Sequence, residues 1–404
     1  KDAAEEIAKK AKAENLNIAE IGEGTVKIGH SLVPTLRNFE RICENGYGEY
    51  IHLGLTTQDV IDTGFMLSIK KAFDIIYNDL RDVEQVLIEL AEKHKNTVMA
   101  GRTHGQHALP ITFGYKVAVW ASEVRRHIER MKECRERILV GQINGAVGTM
   151  AGFGENAVEV SSRTIKRLGL NVPEISWQSS RDRLIELASV LGLISTTFGK
   201  IAHEISNLQK TEVSELAEGF TMGKVGSSTM PHKRNPTISE AVHTLSRIVK
   251  SSMALSYDAM YVEHERDGAL WKIEWMSITE TIIIAGAVVA KSKILLSEKK
   301  MLENLDLLKG LMLSEPVMLA LGEKLGKQTA HEIVYEISMK TFEEGANFID
   351  KLREDKNISD NFTEEELLKM LDPCGYTGLS TYFAEKVIKN IRQARKSEEI
   401  KIMR

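Results

Sequence analysis

The stretch from residue 182 to residue 217 is the part of this chain that most constrains its fold. Apolar residues recur in it at alternating spacings of three and four, which is the heptad seam of a long helix that packs lengthwise against other helices. A helix of this length would extend roughly 54 Å at 1.5 Å per residue. Further apolar residues beside the seam widen its apolar surface, so we expect burial within a bundle and against other copies of the chain. The seam consists of Leu184, Leu187, Leu191, Ile194, Phe198, Ile201, Ile205 and Leu208.

The rest of the chain also favours helix. Its 404 residues include 7 prolines, most of them far apart, and runs with a period of two are scarce. We therefore predict an all-α fold, a long-helix bundle with smaller helical domains at each end. The predicted domains are residues 1–63, 64–306 and 307–404. Further long helices are predicted over residues 65–95, 113–141, 237–257 and 275–296.

Composition excludes several classes of function. A net charge of −4 provides no overall field for nucleic acid or for an anionic membrane. No apolar run reaches the roughly eighteen residues that span a bilayer. The scattered cysteines Cys43, Cys134 and Cys374 lack metal-ligand spacing and suit a reducing, cytoplasmic compartment. We predict no metal and no cofactor, and because the chain starts mid-pattern without Met, we expect its natural start to be missing.

Three polar segments interrupt the helical pattern, at residues 52–63, 102–112 and 226–236. A polar surface loop is the simplest explanation for each of them. Their content argues otherwise, since a helical bundle has no structural need for so many groups that bind or move protons at its helix junctions. The polar side chains are His52, Thr56, Thr57 and Asp59, then Arg102, Thr103, His104 and His107, and then Ser227, Ser228, Lys233 and Asn235.

The third segment reads GSSTMPHKRNP, which resembles the signature loop of the fumarase/aspartase superfamily. TTQDVIDTG at 56–64 and RTHGQHALPITFG at 102–114 resemble the other two signature regions. The resemblance implies a homotetramer in which each active site gathers the three regions from three subunits. It also implies β-elimination from a small dicarboxylate, usually with release of fumarate.

The resemblance assigns catalytic roles. Ser227 matches the base that removes a proton from the carbon next to a carboxylate, while Lys233 and Asn235 would stabilise the dianionic intermediate. His104 matches the general acid, or the residue that orients the leaving group, and Glu240 matches the carboxylate paired with it. Substrate contacts are predicted at His30, His52, Thr56, Thr57, Asp59, Thr103, Gln178, Arg183, Ser228, Met230, Asn235 and Arg266. The roles of His107 and His232 stay open between site residues and ordinary polar neighbours.

Two subgroups of the superfamily compete. GQINGAVGTMAGFG at 141–154 and NLQKTE at 207–212 resemble adenylosuccinate lyases, which we favour, whereas WQSSRDRLIELAS at 177–189 resembles 3-carboxy-cis,cis-muconate cycloisomerases. One departure bears on the choice: after HERD at 264–267, the chain lacks the serine pair and the arginine that hold the AMP phosphate in adenylosuccinate lyases. A remote alternative is a non-catalytic structural protein, as crystallins of this fold show.

Overall fold

A computed structural model describes residues 1–218, 234–295 and 310–402. Helices account for 71% of it, which confirms the all-α prediction. The helices are α1 (Asp2–Lys10), α2 (Ile18–Ile28), α3 (Leu32–Ile42), α4 (Thr57–Lys93), α5 (Phe113–Ile138), α6 (Ala157–Arg167), α7 (Asp182–Leu208), α8 (Thr237–Asp258), α9 (Gly268–Ser292), α10 (Ser314–Leu325), α11 (Lys327–Glu344), α12 (Phe348–Glu354), α13 (Lys356–Ser359), α14 (Glu364–Met370) and α15 (Ser380–Ile402). Two strands, β1 (Val98–Thr103) and β2 (Gln106–Thr112), separate α4 from α5.

The seam predicted for α7 is confirmed, because all eight of its residues are buried, none of them more than 3% exposed. The predicted end of this helix at residue 217 is wrong. The backbone N–H groups of Glu215 and Leu216 both donate to the carbonyl of Leu208, which turns the chain back on itself. Ser214 adopts a left-handed conformation, with φ of 49°, within this turn. The helix therefore stops at Leu208.

Two other helices begin earlier than the sequence predicted. The sequence predicts an interruption at residues 52–63 and a helix from residue 65, but α4 already starts at Thr57, so most of the first polar segment forms its first turns. Helix α9 starts at Gly268 and not near residue 275. Its start is fixed by Asp267, whose carboxylate accepts the backbone N–H groups of Ala269 and Leu270, as an N-cap does. These two hydrogen bonds lower the pKa of Asp267.

The second polar segment is a β-hairpin, whereas the sequence predicted an irregular interruption. β1 and β2 pair antiparallel with a register irregularity between Ala100 and Arg102. A proline inside a run argues against a central strand, and Pro110 therefore hid this signal. In a sheet of two strands both strands are edges, so a proline is tolerated there.

The chain divides into two compact units that alternate along the sequence. The first unit contains residues 1–74, 133–188 and 253–279, and the second contains residues 75–132, 189–252 and 280–404. The three domains predicted from the sequence stay a prediction.

In the second unit the long helices form a closed bundle. Each helix contacts the next through polar or small side chains on facing sides. The contacts are Arg125 with Glu84 (α5 and α4), His127 with Thr197 (α5 and α7), Gly199 with Ser246 (α7 and α8), Ser252 with Glu280 (α8 and α9), and Lys293, just after α9, with Asp79 (α4).

Two of the described helices, α7 and α9, are long and apolar enough to cross a membrane on length and composition alone. In α7, 72% of the most apolar window is buried within the chain, as in the core helix of a soluble protein. In α9 the share is 39%, so the described residues leave much of its apolar surface uncovered.

A matched pair of glycine substitutions tests the packing of these helices. A Cβ at Gly114 would lie 2.5 Å from the carbonyl oxygen of Ala91 and 2.5 Å from Cα of Lys95, and neither backbone atom can move easily. We expect Gly114→Ala to lower the free energy of unfolding by about 1–3 kcal/mol. Gly64 is exposed on α4, and a Cβ added there would meet no atom within 4 Å. Gly64→Ala should raise the free energy of unfolding by about 0.5–1 kcal/mol through helix propensity. Urea denaturation measures both, and equal effects would contradict the packing described here.

The buried His127 gives a pH prediction. Its Nδ1 accepts from Arg130, so Nε2–H donates to Thr197 at 2.9 Å. Burial, helped by the charge of Arg130, lowers the pKa of His127 from 6.5 to about 4. Between pH 6.5 and pH 4, His127 therefore binds a proton in the unfolded chain but stays neutral in the folded chain. Roughly 3 kcal/mol of stability, fully present above pH 6.5, should be lost as the pH falls to 4. In His127→Gln this part of the stability–pH profile should flatten, and an unchanged slope would contradict the assignment.

Candidate active site

The first signature region is held by one buried carboxylate. Oδ2 of Asp59 accepts the backbone N–H groups of Thr56, at 3.0 Å, and Gly145, at 2.9 Å. Oδ1 accepts the N–H of Asn144 at 2.9 Å, and Asp59 is 1% exposed. Asp59 thus ties the start of α4 to the glycine-rich segment at 141–154. The sequence predicted a substrate contact for Asp59, but the geometry commits its carboxylate to the backbone.

Arg266 braces the same region from the segment that precedes α9. Its Nη2 donates to Oγ1 of Thr56 at 3.0 Å and to the carbonyl of Ala146 at 2.7 Å. Its Nε donates to Oε1 of Gln58 at 2.9 Å. Two predicted substrate contacts, Thr56 and Arg266, therefore lie together and contact each other. Sequence reasoning missed Gln58, which joins Arg266 to the neighbouring loop.

Gln178 completes this cluster in the first unit. Its side-chain Nε2 donates to the backbone carbonyl of Gly145 at 2.7 Å. Its backbone carbonyl accepts from Nε2 of Gln58 at 2.9 Å. Its Oε1 is buried without a hydrogen-bond partner among the described residues, and so are Oδ1 of Asn144 and Nε2 of His52. Buried polar atoms are nearly always paired. Hydrogen-bond partners for these atoms would therefore come from outside the described residues.

A buried cluster of charges lies beside these residues. Arg181 donates to Asp62 through Nη1 and to Glu274 through Nε, both at 2.7 Å, and all three side chains are at most 3% exposed. Sequence reasoning chose the other arginine of RDR, Arg183, as a substrate contact. Arg183 instead donates to the carbonyl of Arg137 near the end of α5. The position of Arg181 in the sequence could have indicated its burial, because it directly precedes the first residue of α7 and its side chain can point into the protein there.

This cluster also orders the neighbouring loops. The Asp62 carboxylate accepts from Gln142 and from the indole N–H of Trp271, each at 3.0 Å. Gln142 in turn accepts the backbone N–H of Trp177 at 2.8 Å. Burial raises the pKa of Glu274, while Arg181 acts in the opposite direction. One guanidinium thus donates hydrogen bonds to two carboxylates.

The second signature region presents His104 at the tip of the β-hairpin. His104 has φ of 53° and Gly105 has φ of 78°, and Thr103 pairs with Gln106 on either side of this two-residue turn. Positive φ at both central residues is the type I′ turn of tight hairpins. A histidine held in the left-handed region is strained, and such strain clusters at functional sites. Thr103 and His104 are both exposed in the single chain.

An ion pair with a buried carboxylate supports the hairpin. Nη1 and Nη2 of Arg102 donate to the two carboxylate oxygens of Glu215 at 2.9 and 2.6 Å, and Glu215 is 0% exposed. The forked arrangement fixes the orientation of the guanidinium as well as its position. Sequence reasoning found Arg102 in the second region but missed Glu215, which lies more than a hundred residues away.

Most of the third region lies outside the described residues, including Ser227, Ser228, Met230 and Lys233. Asn235 is described and lines a cavity of about 650 Å³ together with Lys210 and Arg234. Glu240 is exposed in the first turn of α8.

The start of α8 is held by a buried carboxylate. Glu218 accepts the N–H groups of Ile238 and Ser239 at 3.1 and 2.6 Å. Nε2 of Gln209 donates to the carbonyl of Arg234 at 3.0 Å. The described residues on either side of the third region are therefore tied to one another.

The remaining predicted residues fall into separate places. His30 accepts the N–H of Leu32 through Nδ1 at 3.2 Å, and Thr57 is the first residue of α4. Within the described part of one chain, no hydrogen bond joins His104 to Glu240, so their pairing stays a prediction.

Among the described residues no group of three His, Cys, Asp or Glu side chains is placed to hold a metal ion.

Replacing Asp59 by asparagine tests the first cluster. Asparagine puts an NH₂ group against a backbone N–H, so at least one of three hydrogen bonds is lost and a donor faces a donor. We expect Asp59→Asn to lower the free energy of unfolding by about 1–3 kcal/mol and to reduce turnover. The exposed Asp360 supplies the control, since Asp360→Asn should change neither. Unfolding in urea is the measurement, and equal stability of the two variants would contradict the role of Asp59.

Known proteins resemble this chain over nearly its whole length. Residues 2–250 match a family described as lyase, and residues 310–387 match one described as adenylosuccinate lyase C-terminus. An N-acetyl-S-(2-succino)cysteine lyase of Dickeya dadantii is 49% identical, covering 96% of this chain and 86% of the relative. An adenylosuccinate lyase of Methanocaldococcus jannaschii is 40% identical, with coverage of 97% and 87%.

Solved structures also share the fold of this chain. The crystal structure of the 3-carboxy-cis,cis-muconate lactonizing enzyme from Pseudomonas putida superimposes with a TM-score of 0.92 at 33% identity, covering 97% of this chain and 89% of that chain. The signature regions, the long helices and these similarities agree. The chain therefore belongs to the fumarase/aspartase superfamily of lyases.

Proposed function

We propose that this protein is a β-eliminating lyase that cleaves a succinyl thioether of the N-acetyl-S-(2-succino)cysteine type into fumarate and a thiol. The lyase of Dickeya dadantii that bears this substrate in its name is 49% identical over almost the whole chain. The observation that carries the proposal beyond this similarity lies at the start of α9.

At this point the AMP-forming members of the superfamily use a serine pair and an arginine for the phosphate. Here Gly268 to Lys272 take their place. The Trp271 indole N–H is donated to the buried Asp62, and Lys272 is exposed. An ammonium group does not reproduce the fork of a guanidinium on phosphate. A succinyl thioether carries carboxylates but no phosphate, so it makes no use of the missing groups.

The chemistry suits the superfamily roles predicted for the signature residues. Ser227 would remove a proton from the carbon next to a carboxylate, and Lys233 and Asn235 would stabilise the resulting dianion. The electron pair then forms the double bond of fumarate while the carbon–sulfur bond breaks and sulfur leaves as thiolate. Because a cysteine thiol has a pKa of about 8.5, far below that of an amine, the thiolate departs with little help. His104 would protonate or orient it.

We further propose that the enzyme is a cytoplasmic homotetramer whose active sites draw on three subunits. The uncovered apolar surface of α9 supports assembly, since Met276 is 73% and Ile283 65% exposed in the single chain. Cys43, Cys134 and Cys374 form no disulfide bonds in the structure, which supports a reducing compartment.

A second candidate is adenylosuccinate lyase, which the sequence alone favoured. The match of residues 310–387 to the C-terminal family of that enzyme and the 40% identical archaeal relative support it. Gln178, with its buried and unpaired Oε1, would offer an acceptor to a substrate N–H. The two candidates differ in the leaving group and share the succinyl half of the substrate.

The candidates are separated by turnover of the purified protein with N-acetyl-S-(2-succino)cysteine, adenylosuccinate and 3-carboxy-cis,cis-muconate. We expect fumarate and free thiol in equal amounts from the thioether, with kcat/KM at least about tenfold above that for adenylosuccinate, a difference of about 1.4 kcal/mol in transition-state binding. Ultraviolet absorbance follows fumarate and a thiol reagent follows the cysteine derivative.

Ser227→Ala should abolish turnover while the assembly, measured by size-exclusion chromatography, stays unchanged. A preference for adenylosuccinate would replace the lead proposal by the second candidate. Lactonisation of carboxymuconate alone would make the protein a cycloisomerase. No turnover of any substrate would leave a structural role for the fold.

A further inference from the structure

His107 is a half-buried histidine of the second signature region to which the resemblance assigns no role. It lies on β2 directly opposite Arg102 on β1. Side chains of such a cross-strand pair point to the same face of the hairpin. Nε2 of His107 lies 3.1 Å from Nη2 of Arg102.

This contact determines which ring nitrogen of His107 carries the proton. A guanidinium group has N–H bonds on all its nitrogens and no acceptor. Nε2 of His107 therefore accepts from Arg102, and the proton of the neutral ring is on Nδ1. Glu215 holds Arg102 in place with two hydrogen bonds, so the arrangement is fixed by three buried or partly buried side chains.

The charge state of the ring agrees with this assignment. Burial and the neighbouring charge of Arg102 lower the pKa of His107, and the more distant influence of Glu215 raises it by less. His107 is therefore neutral at physiological pH, with one N–H to donate.

The Nδ1–H has no partner among the residues that the structure describes, and solvent does not reach it. A buried donor left without an acceptor destabilises the folded chain, and native structures retain few such groups. The donor lies three residues after His104, in the segment that belongs to the active site. An acceptor must come from outside the described chain, and the acceptors that the proposed substrate brings are its carboxylate oxygens.

We propose that His107 binds the substrate by donating its Nδ1–H to a carboxylate oxygen of the succinyl group, with Arg102 and Glu215 fixing the tautomer that makes this possible. The inference rests on the proposed function only for the succinyl half, which fumarate shares. A neutral donor of fixed direction stabilises a carboxylate through a charge-assisted hydrogen bond and cannot itself take up the proton that the base removes.

Binding of fumarate, measured by calorimetry, tests this role without any leaving group. Glutamine at position 107 keeps an acceptor toward Arg102 but has no donor near Nδ1, whereas asparagine can place its N–H near that position. We expect His107→Gln to weaken the Kd for fumarate by about 10- to 100-fold and His107→Asn to weaken it by less than about threefold. The control is His331→Gln, since His331 is exposed on α11; it should leave the Kd unchanged.

Two results would overturn the inference. One is fumarate affinity in His107→Gln equal to that of the wild type. The other is loss of affinity together with a smaller particle in size-exclusion chromatography, which would show that the donor serves a contact between copies of the chain. If the fumarate pattern holds while the thioether is not turned over, the proposed function fails and the role of His107 stands.

Discussion

The first signature region depends on the buried carboxylate of Asp59 and the three backbone N–H groups that converge on it. A carboxylate shut away from water is stable only when hydrogen bonds replace those it had with water. The two chain segments it joins are more than eighty residues apart, so the loop and the start of α4 are positioned as one piece. Thr56, Gln178 and Arg266 are then placed through this piece. The polar groups of the site are thus located by charge burial at a helix start and not by the apolar seam.

The arginines divide the work of holding the polar regions. Arg181 is enclosed by Asp62 and Glu274, Arg266 braces the first region, and Arg102 holds His107. These guanidinium groups already hydrogen-bond to protein groups. They therefore position side chains and are not available to bind a phosphate. This is why we favour a substrate recognised through its carboxylates. Under the proposed function, the succinyl half of the substrate would contact the signature regions, while the leaving group would contact segments such as the one after Arg266.

The described signature regions are divided between the two compact units of the chain. The first region belongs to one compact unit, while the hairpin and the described part of the third region belong to the other. Buried polar atoms of Gln178, Asn144 and His52 have no hydrogen-bond partner in the described part of the chain, and His104 at the hairpin tip is exposed. Helix α9 exposes apolar side chains of the kind that a soluble chain buries against a partner. These features all support the proposed assembly of several copies.

The helical class, the seam of α7 and the superfamily could be predicted from the sequence alone, because heptad spacing and an eleven-residue loop are local patterns that can be recognised without knowing any tertiary contact. The sequence did not reveal the hairpin, since Pro110 in a run of mixed residues argues against a strand unless that strand is known to be an edge. Nor did it reveal Glu215 as the partner of Arg102, or Arg181 as the buried arginine in place of Arg183. The hairpin and these charge pairs become visible in the tertiary structure, which brings together residues that lie far apart in the chain. Charged groups that are buried there must then be paired.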